Sequence, residues 1–403
     1  LKFDESRLAA RLDRFEIETP SWGYADTGTR FGKFLQAAAA FTTEEKLADA
    51  GQVHKLTGCC PTVALHVLWD FPVDEHGALS GSPQAAGSTL KAAAAKHGVK
   101  PGSINPNLFQ DQRYKLGSVT NTDPAIRAHA VRHLTDSATL AAACGSDILS
   151  LWFADGTNYP GQGHLRDRRA WMIEALRSTH AAMPASMTML VEYKPFEPAF
   201  YHTDIADWGM AAAFARAAGP RAKVLVDTGH HLPGANIEHI VAFLLAEGLL
   251  GGFHFNDRKY ADDDLTMGSI DPYQLFRIFA EIVSAERDAG NPLPIAYMID
   301  QSHNLKPKIE AMIQTVMTAQ EHFAKALLID FEAAAAARAK GDIITSEAAW
   351  RDAFATDVRG FLAEYRRSKG LPTNPLQAHR DSGYEARAAA ERGSRRKSGG
   401  AYA

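Results

Sequence analysis

The 403-residue sequence predicts an α/β protein, a (β/α)8 TIM barrel with a C-terminal helical extension, and three observations carry that expectation. Short runs rich in valine, isoleucine, leucine and phenylalanine alternate with longer stretches of helical spacing, as a parallel sheet wound with helices requires. Counting a strand near residues 17–22, the runs number eight, which is the count that closes a barrel. Four of the later runs end in a side chain able to hold a metal: Glu192, Asp227, His254 and Asp300. In a barrel those carboxyl ends all open on one face.

Taken in order, Leu8, Leu12 and Phe15 recur at helical spacing over 4–16, and Thr19-Pro20-Ser21-Trp22-Gly23 ends that helix. The polar loop at 26–31 carries Phe31 just after Trp22; both rings are candidate caps for a pocket, here or in a neighbouring subunit, and packing into their own core is the plainer alternative. Thr42-Thr43-Glu44-Glu45 reads as a capped helix start, and 62–69 as a buried strand that contains His66 and Trp69. An alanine-rich helix over 88–97 leads to a short strand near 103–109. Asp123-Pro124 opens a helix that runs through Ala142 and closes at Gly145. A strand over 147–154, with Trp152 near its end, empties into a loop at 155–161, and a helix follows over 168–180.

The second half repeats the alternation more plainly, with strands at 187–194, 223–227, 251–257 and 295–302. Helical patterns at 206–218, 237–246, 272–285 and 307–326 separate or follow them. Residues 1–330 are therefore assigned to the barrel with its N-terminal helix, and 331–390 to the extension, with helices through 338 and from 346 to 368. The Gly-, Ser- and Arg-rich stretch 391–403 is expected to be a disordered tail.

Composition narrows the function. A hydrophobic share of 46% and a charged share of 22% are those of a globular protein with a sizeable core. A formal net charge of -4 supplies no field that would draw nucleic acid or an anionic membrane, so neither is expected as a partner. No apolar run approaches the roughly 18 residues that span a bilayer. Cys59, Cys60 and Cys144 form neither an even disulfide set nor a Cys-x-x-Cys pair, which fits a reducing compartment and a cytoplasmic location.

The strand-end set of three carboxylates and one imidazole suits a hard or borderline divalent cation such as manganese, cobalt or magnesium. Any one of these residues alone reads equally as a salt-bridged or solvated loop residue; four at strand ends together favour a site. A second set lies one loop further out: His230, Asp262 and Asp264. His231 and Asp263 compete for the same roles, and spacing does not choose between neighbours. If Glu192 bridges both sets, the site holds two cations. Lys194, two residues past Glu192 on the same strand face, places a cation beside an anionic substrate oxygen, or else faces solvent.

The motifs PSWG at Pro20, TRF at Thr29, LHVLWD at Leu65, LWFADGTNYPGQ at Leu151, EYKPFEPAFY at Glu192, DWG at Asp207, LVDTGHH at Leu225, GGFHFNDRKYADDD at Gly251, MIDQSHN at Met298 and SGYEARAAAER at Ser382 span nearly the whole chain. Together they resemble the bacterial L-rhamnose isomerases of broad aldose specificity, within the xylose-isomerase-like barrels. The resemblance implies a structural metal at Glu192, Asp227, His254 and Asp300 and a catalytic metal at Glu192, His230, Asp262 and Asp264, selecting His230 over His231. It also implies Lys194, His66, Trp69 and Trp152 in a sugar pocket, and Phe31 reaching a neighbour's site within a homotetramer. The N-terminal helical region is shorter than the family's and the connection over 71–100 differs, which bears on the preferred sugar.

The expected activity is metal-dependent interconversion of an aldose and a ketose, L-rhamnose and L-rhamnulose or the related L-mannose, L-lyxose, D-allose and D-ribose. Lys194, His66 and Asp300 are the expected catalytic residues and Trp69, Trp152, Phe31 and Trp22 the expected sugar contacts. Two divalent cations per subunit are expected, manganese first. With the best carboxylates and histidines committed to metals, a direct hydrogen shift from C2 to C1 is the expected route. Three alternatives are weaker. A ketose epimerase needs two glutamates flanking one metal, an endonuclease on abasic DNA needs a basic face, and a silent sugar-binding protein would have lost ligands.

Overall fold

The computed structural model describes residues 3–26, 36–74, 79–197, 201–302 and 305–393. Eight parallel strands stand side by side in chain order: β1 (Thr19–Pro20), β2 (Thr62–His66), β3 (Lys100–Asn105), β4 (Ile148–Leu151), β5 (Thr188–Glu192), β6 (Ala222–Asp227), β7 (Leu250–Phe255) and β8 (Ala296–Ile299). A parallel bridge between Glu18 and Met298 closes the ring, with the Glu18 amide donating to Tyr297 O at 2.8 Å and the Ile299 amide to Glu18 O at 3.0 Å. Helices cover the outside, so the strands are buried on both faces and read as nearly continuous apolar runs.

Side chains alternate between the lumen and the helix layer. Leu190, Leu225 and Met298 meet in the lumen as a small apolar cluster of their own. A β-bulge at Leu250/Gly252 brings the Gly251-Gly252 backbone against them; a Cβ on Gly251 would lie 2.5 Å from Leu190 Cδ2. On the opposite wall the buried Glu18 carboxylate fills the space above Gly102, where a Cβ would come within 1.6 Å of its Oε2. That carboxylate accepts from the Ser103 amide at 3.0 Å and from Ser103 Oγ at 2.5 Å. One alternation further along β5, β6, β7 and β8 come Glu192, Asp227, His254 and Asp300. The strand period that seats the apolar cluster therefore also aims these four groups into the mouth.

The outer helices start where short polar side chains cap them. Asp123, Asp207, Asn236 and Asp271 each accept a hydrogen bond from the first turn of Pro124–Cys144, Trp208–Ala218, Ile237–Ala246 and Pro272–Ala289. Thr42 and Glu45 form the reciprocal capping box that begins Thr43–Thr57. The extension comprises Phe331–Ala339, Ile343–Ala355, Arg359–Ser368, Pro375–Asp381 and Tyr384–Gly393. It shares the barrel's core: Phe354 lies 4.9 Å from Tyr273 and 5.3 Å from Phe276, both on Pro272–Ala289.

Several elements differ from the sequence expectation. The strand expected over 62–69 stops at His66, and Val67–Asp70 is a helical turn, because Asp70 folds back to accept from the His66 amide at 2.8 Å. The strand expected near 103–109 runs instead over Lys100–Asn105, through Pro101 and Gly102, where closeness to Glu18 demands the glycine. The helix expected from 346 to 368 breaks at Thr356, whose backbone is extended. The expected tail begins too early, since Tyr384–Gly393 is helical and Arg392 is buried against Asp49 at 2.8 Å; 394–403 lie outside the described residues. A small antiparallel sheet of Gly156–Thr157, Phe196–Glu197 and Tyr201–Thr203 at the mouth was not expected.

Candidate active site

At the carboxyl end of the barrel a cavity of about 280 Å³ opens in front of β5, β7 and β8. Ligand atoms from Glu192, Asp227, His254 and Asp300 all lie within 4.8 Å of one another, and so do atoms from Asp227, His230 and Asp262. The first group matches the strand-end set. The second joins His230 to Asp262 through Asp227, while Glu192 still adjoins both groups: its Oε1 is 3.1 Å from His230 Nδ1 and its Oε2 is 3.3 Å from His254 Nδ1. Asp264 lines the same cavity, and its Oδ2 accepts from Ser302 Oγ at 2.8 Å, but it is outside the second close group. It sits at φ +49, a left-handed conformation that Asp tolerates better than most residues.

Neighbouring groups fix the orientation of these side chains. His230 Nδ1 lies 3.0 Å from Tyr193 O, which assigns the proton to Nδ1 and leaves Nε2 facing Asp262 at 3.5 Å and Asp227 at 3.9 Å. His231 turns the other way, its Nε2 2.6 Å from the Tyr193 hydroxyl, and does not line the cavity. The geometry thus separates two neighbours that spacing left equivalent. Asp227 Oδ1 accepts from the Gly229 amide at 2.7 Å and from Asn256 Nδ2 at 3.0 Å. Trp22 Nε1 donates to Asp300 Oδ1 at 2.8 Å, and Lys194 Nζ lies 2.7 Å from Asp262 Oδ2.

Five carboxylates (Glu192, Asp227, Asp262, Asp264 and Asp300) converge here on one lysine and two histidines. Burial raises Glu192, but His254 and His230 reverse that and hold it at about 2. Burial pushes Asp227 up to about 7 against the pull of His230. His254 rises to about 9 because Glu192, Asp300 and Asp227 outweigh its burial. Asp227 Oδ2 and His254 Nε2 are buried and make no hydrogen bond among the described residues. Crowded acids, protonated imidazoles and unsatisfied ligand atoms are the charge pattern that a divalent cation relieves, and the oxygen-rich donor set fits manganese, cobalt or magnesium.

An aromatic wall faces this cluster. His66 lies between Trp22 at 4.6 Å and Trp69 at 4.2 Å, and Phe109 bridges Trp69 at 5.8 Å to Trp152 at 5.0 Å. Lys194 Nζ stands 5.1 Å from the centre of the Trp152 ring. Burial, then His254 and Lys46, hold His66 at about 3, so its imidazole is neutral near pH 7. The structure therefore brings Trp22, His66, Trp69, Trp152, Lys194 and all the expected metal ligands to one place; Phe31 lies outside the described residues. Sequence reasoning missed Asn105, Pro106, Phe109, Ser150 and Ser302 in the lining. Ser150 had a signal, two residues before Trp152 in the strand expected over 147–154.

Residues 67–284 match the family model described as the xylose isomerase-like TIM barrel. The chain is 39% identical over 394 residues to a probable sugar isomerase of Rhizobium meliloti (strain 1021), covering 96% of this chain and 89% of that one. A probable sugar isomerase of Mesorhizobium japonicum is 37% identical over 96% of this chain and 88% of its own. The xylose isomerase of Thermus thermophilus is 30% identical over 45% of this chain and 49% of that one. Among solved structures, an L-ribulose 3-epimerase shares the fold at a TM-score of 0.52 and 14% identity, covering 82% of this chain and 98% of its own.

Proposed function

The chain belongs to the xylose isomerase-like TIM barrel family, and from that premise we propose that it is a metal-dependent aldose–ketose isomerase of the L-rhamnose isomerase type. Its substrates would be L-rhamnose and L-rhamnulose or the related L-mannose, L-lyxose, D-allose and D-ribose. The observation that carries the reading is the pairing of the acid and imidazole cluster with an aromatic-walled cavity of about 280 Å³, a size that suits a single monosaccharide.

Glu192, Asp227, His254 and Asp300 would hold one divalent cation, and Glu192, His230, Asp262 and Asp264 a second, with manganese the first choice. Such cations supply Lewis acidity toward the carbonyl and hydroxyl oxygens of an open-chain sugar. The chain's own residues do the rest. Trp69, Trp152 and Trp22 offer apolar faces to the sugar carbons and hold water out. Lys194 brings an ammonium to the side of the cavity where negative charge develops on a substrate oxygen. Asp300, oriented by Trp22, fixes the inner edge of the site. His66, neutral at working pH, can orient a sugar hydroxyl but is far too weak a base to take a proton from carbon.

The carboxylates are engaged as well: Glu192 with two histidines, Asp262 with Lys194, Asp264 with Ser302. With Asp227 and His254, whose Oδ2 and Nε2 are otherwise unpartnered, committed to a cation, no free base is left, which supports direct transfer of hydrogen between C2 and C1. The site weighs against a ketose epimerase, since Glu192 is the one glutamate among the described residues lining the cavity. A homotetramer in which Phe31 completes a neighbour's pocket, and a cytoplasmic location, complete the proposal. The three cysteines are free thiols, and no helix among the described residues is long and apolar enough to cross a membrane.

The test is a panel of the five aldoses assayed for ketose formation before chelation, after it, and after manganese, cobalt or magnesium is restored. Turnover should vanish and return with the metal. Full activity in protein shown metal-free by elemental analysis would sink the proposal. Ketose-to-ketose conversion without aldose would move the assignment to an epimerase.

A further inference from the structure

A second cavity, of about 610 Å³, lies on the flank of the barrel between the helix Lys308–Ala326 and the extension helices Arg359–Ser368 and Pro375–Asp381. It shares no lining residue with the active-site cavity. Its charged lining residues are Lys306, Arg359, Arg366, Arg380, Glu310 and Glu321. Most of them pair off: Arg380 with Glu310 at 2.7 Å, Arg359 with Asp357 at 2.7 Å, and Glu321 with Lys325 at 2.8 Å.

Arg366 and Lys306 do not. Arg366 is 4% exposed, yet among the described residues its guanidinium hydrogen-bonds only uncharged acceptors, Thr373 O and Gln320 Oε1, each at 3.3 Å, and its Nε has no partner there. Lys306 Nζ donates to Thr266 Oγ1 at 2.9 Å and to Gln314 Oε1 at 3.0 Å, again without a carboxylate among the described residues. Counting the lining residues with their ion-pair partners, five cations (Lys306, Lys325, Arg359, Arg366, Arg380) face three carboxylates (Glu310, Glu321, Asp357), so two positive charges are in surplus. Burying a cation that forms no ion pair is costly, and Arg366 is such a cation among the described residues. Burial depresses the pKa of both groups, opposed at Arg366 by Cys59 and Glu321.

We propose that this cavity binds a small phosphate-bearing anion, with Arg366 and Lys306 as the groups that compensate its charge. Two surplus cations match a dianion, and a guanidinium and an ammonium, both lining this cavity, are each usual partners of phosphate oxygens. Thr318 and Asn374 add uncharged polar groups, while Leu362 and Leu376 give an apolar surface for the organic remainder, for which the volume leaves room.

The experiment is thermal melting and calorimetric titration of the full chain with inorganic phosphate, against sodium chloride at matched ionic strength and against succinate. The melting temperature should rise saturably with phosphate beyond the chloride control. Lys306→Ala should weaken the apparent affinity at least five-fold, and Arg366→Met should abolish it. Lys306 is half-buried, so Lys306→Ala keeps the test decisive if Arg366→Met fails to fold. No saturable effect would overturn the proposal, as would an effect unchanged in Lys306→Ala, which would place phosphate elsewhere. Saturation by succinate and not by phosphate would overturn the ligand class.

Discussion

Lys194→Met is the substitution that best separates the chemical role of this lysine from a structural one. The native side chain is 6% exposed, lines the sugar-sized cavity, and places Nζ 2.7 Å from Asp262 Oδ2. Methionine keeps much of the apolar stem and removes only the ammonium. A preorganised donor facing a developing oxyanion contributes about 3–4 kcal/mol, so kcat should fall by about 10²–10³-fold even at saturating manganese and sugar. The same change leaves the five-carboxylate cluster more negative by one charge, so manganese should bind more tightly than in the native enzyme. If Lys194 merely tethered Asp262, its loss would free that carboxylate, loosen the cation and cost nothing in kcat once metal is saturating. Steady-state kinetics at saturating metal and calorimetric manganese binding read the two effects separately. A kcat within ten-fold of the native value, with weaker manganese binding, would refute the reasoning.

Three further outcomes follow from the same geometry. His230→Ala should reduce turnover by about 10³-fold while the Glu192, Asp227, His254 and Asp300 group survives. His231→Ala should leave turnover within a few-fold but cost about 1–3 kcal/mol in denaturant unfolding, because the Tyr193 hydroxyl loses its partner; equal losses of turnover in both variants would contradict the assignment. Run in heavy water, the isomerisation should leave the substrate's own hydrogen at C1 by NMR, and deuterium entering in step with turnover would require a base that the site does not show. His66 binds its proton less readily folded, at about 3, than at the ordinary 6.5, so its burial costs stability progressively as pH falls from 6.5 toward 3. His66→Phe should flatten that acid limb in melting temperature against pH, and an unchanged limb would show that His66 is not its source.

The parts of the site legible in the sequence were those governed by strand alternation. Glu192, Asp227, His254 and Asp300 each stand two residues past a lumen-facing residue, so locating the strands located the candidate ligands. What local pattern could not reveal was decided by contacts distant in sequence. Thr62 to Trp69 is uniformly β-prone, yet Asp70 accepts from the Ser21 hydroxyl at 2.6 Å and from the His66 amide, and turns the chain into a helix. Pro101 and Gly102 look like a turn but are strand, because Glu18 needs the space. Phe109 reaches the cavity from an irregular loop with no periodicity to announce it. The strands of the mouth sheet are two and three residues long, too short to display alternation. His230 and His231 are parted by long-range contacts: His230 Nδ1 meets the Tyr193 carbonyl and its ring enters the acid cluster, while His231 meets the Tyr193 hydroxyl.

Below the ligand layer the lumen is stopped by Leu190, Leu225 and Met298, with Glu18 wedged over Gly102 beside them. Among the described residues the chamber is therefore closed at its inner end, and what lies deepest must leave past whatever stands at the mouth. On the proposed function, a sugar standing among Trp22, Trp69, Phe109 and Trp152 would block the exit of anything seated deeper. A cation between Glu192 and Asp300 would then be retained during turnover by queueing as well as by affinity. Its exchange with solvent should slow as sugar concentration rises, even if the sugar leaves the intrinsic affinity of the ligands unchanged.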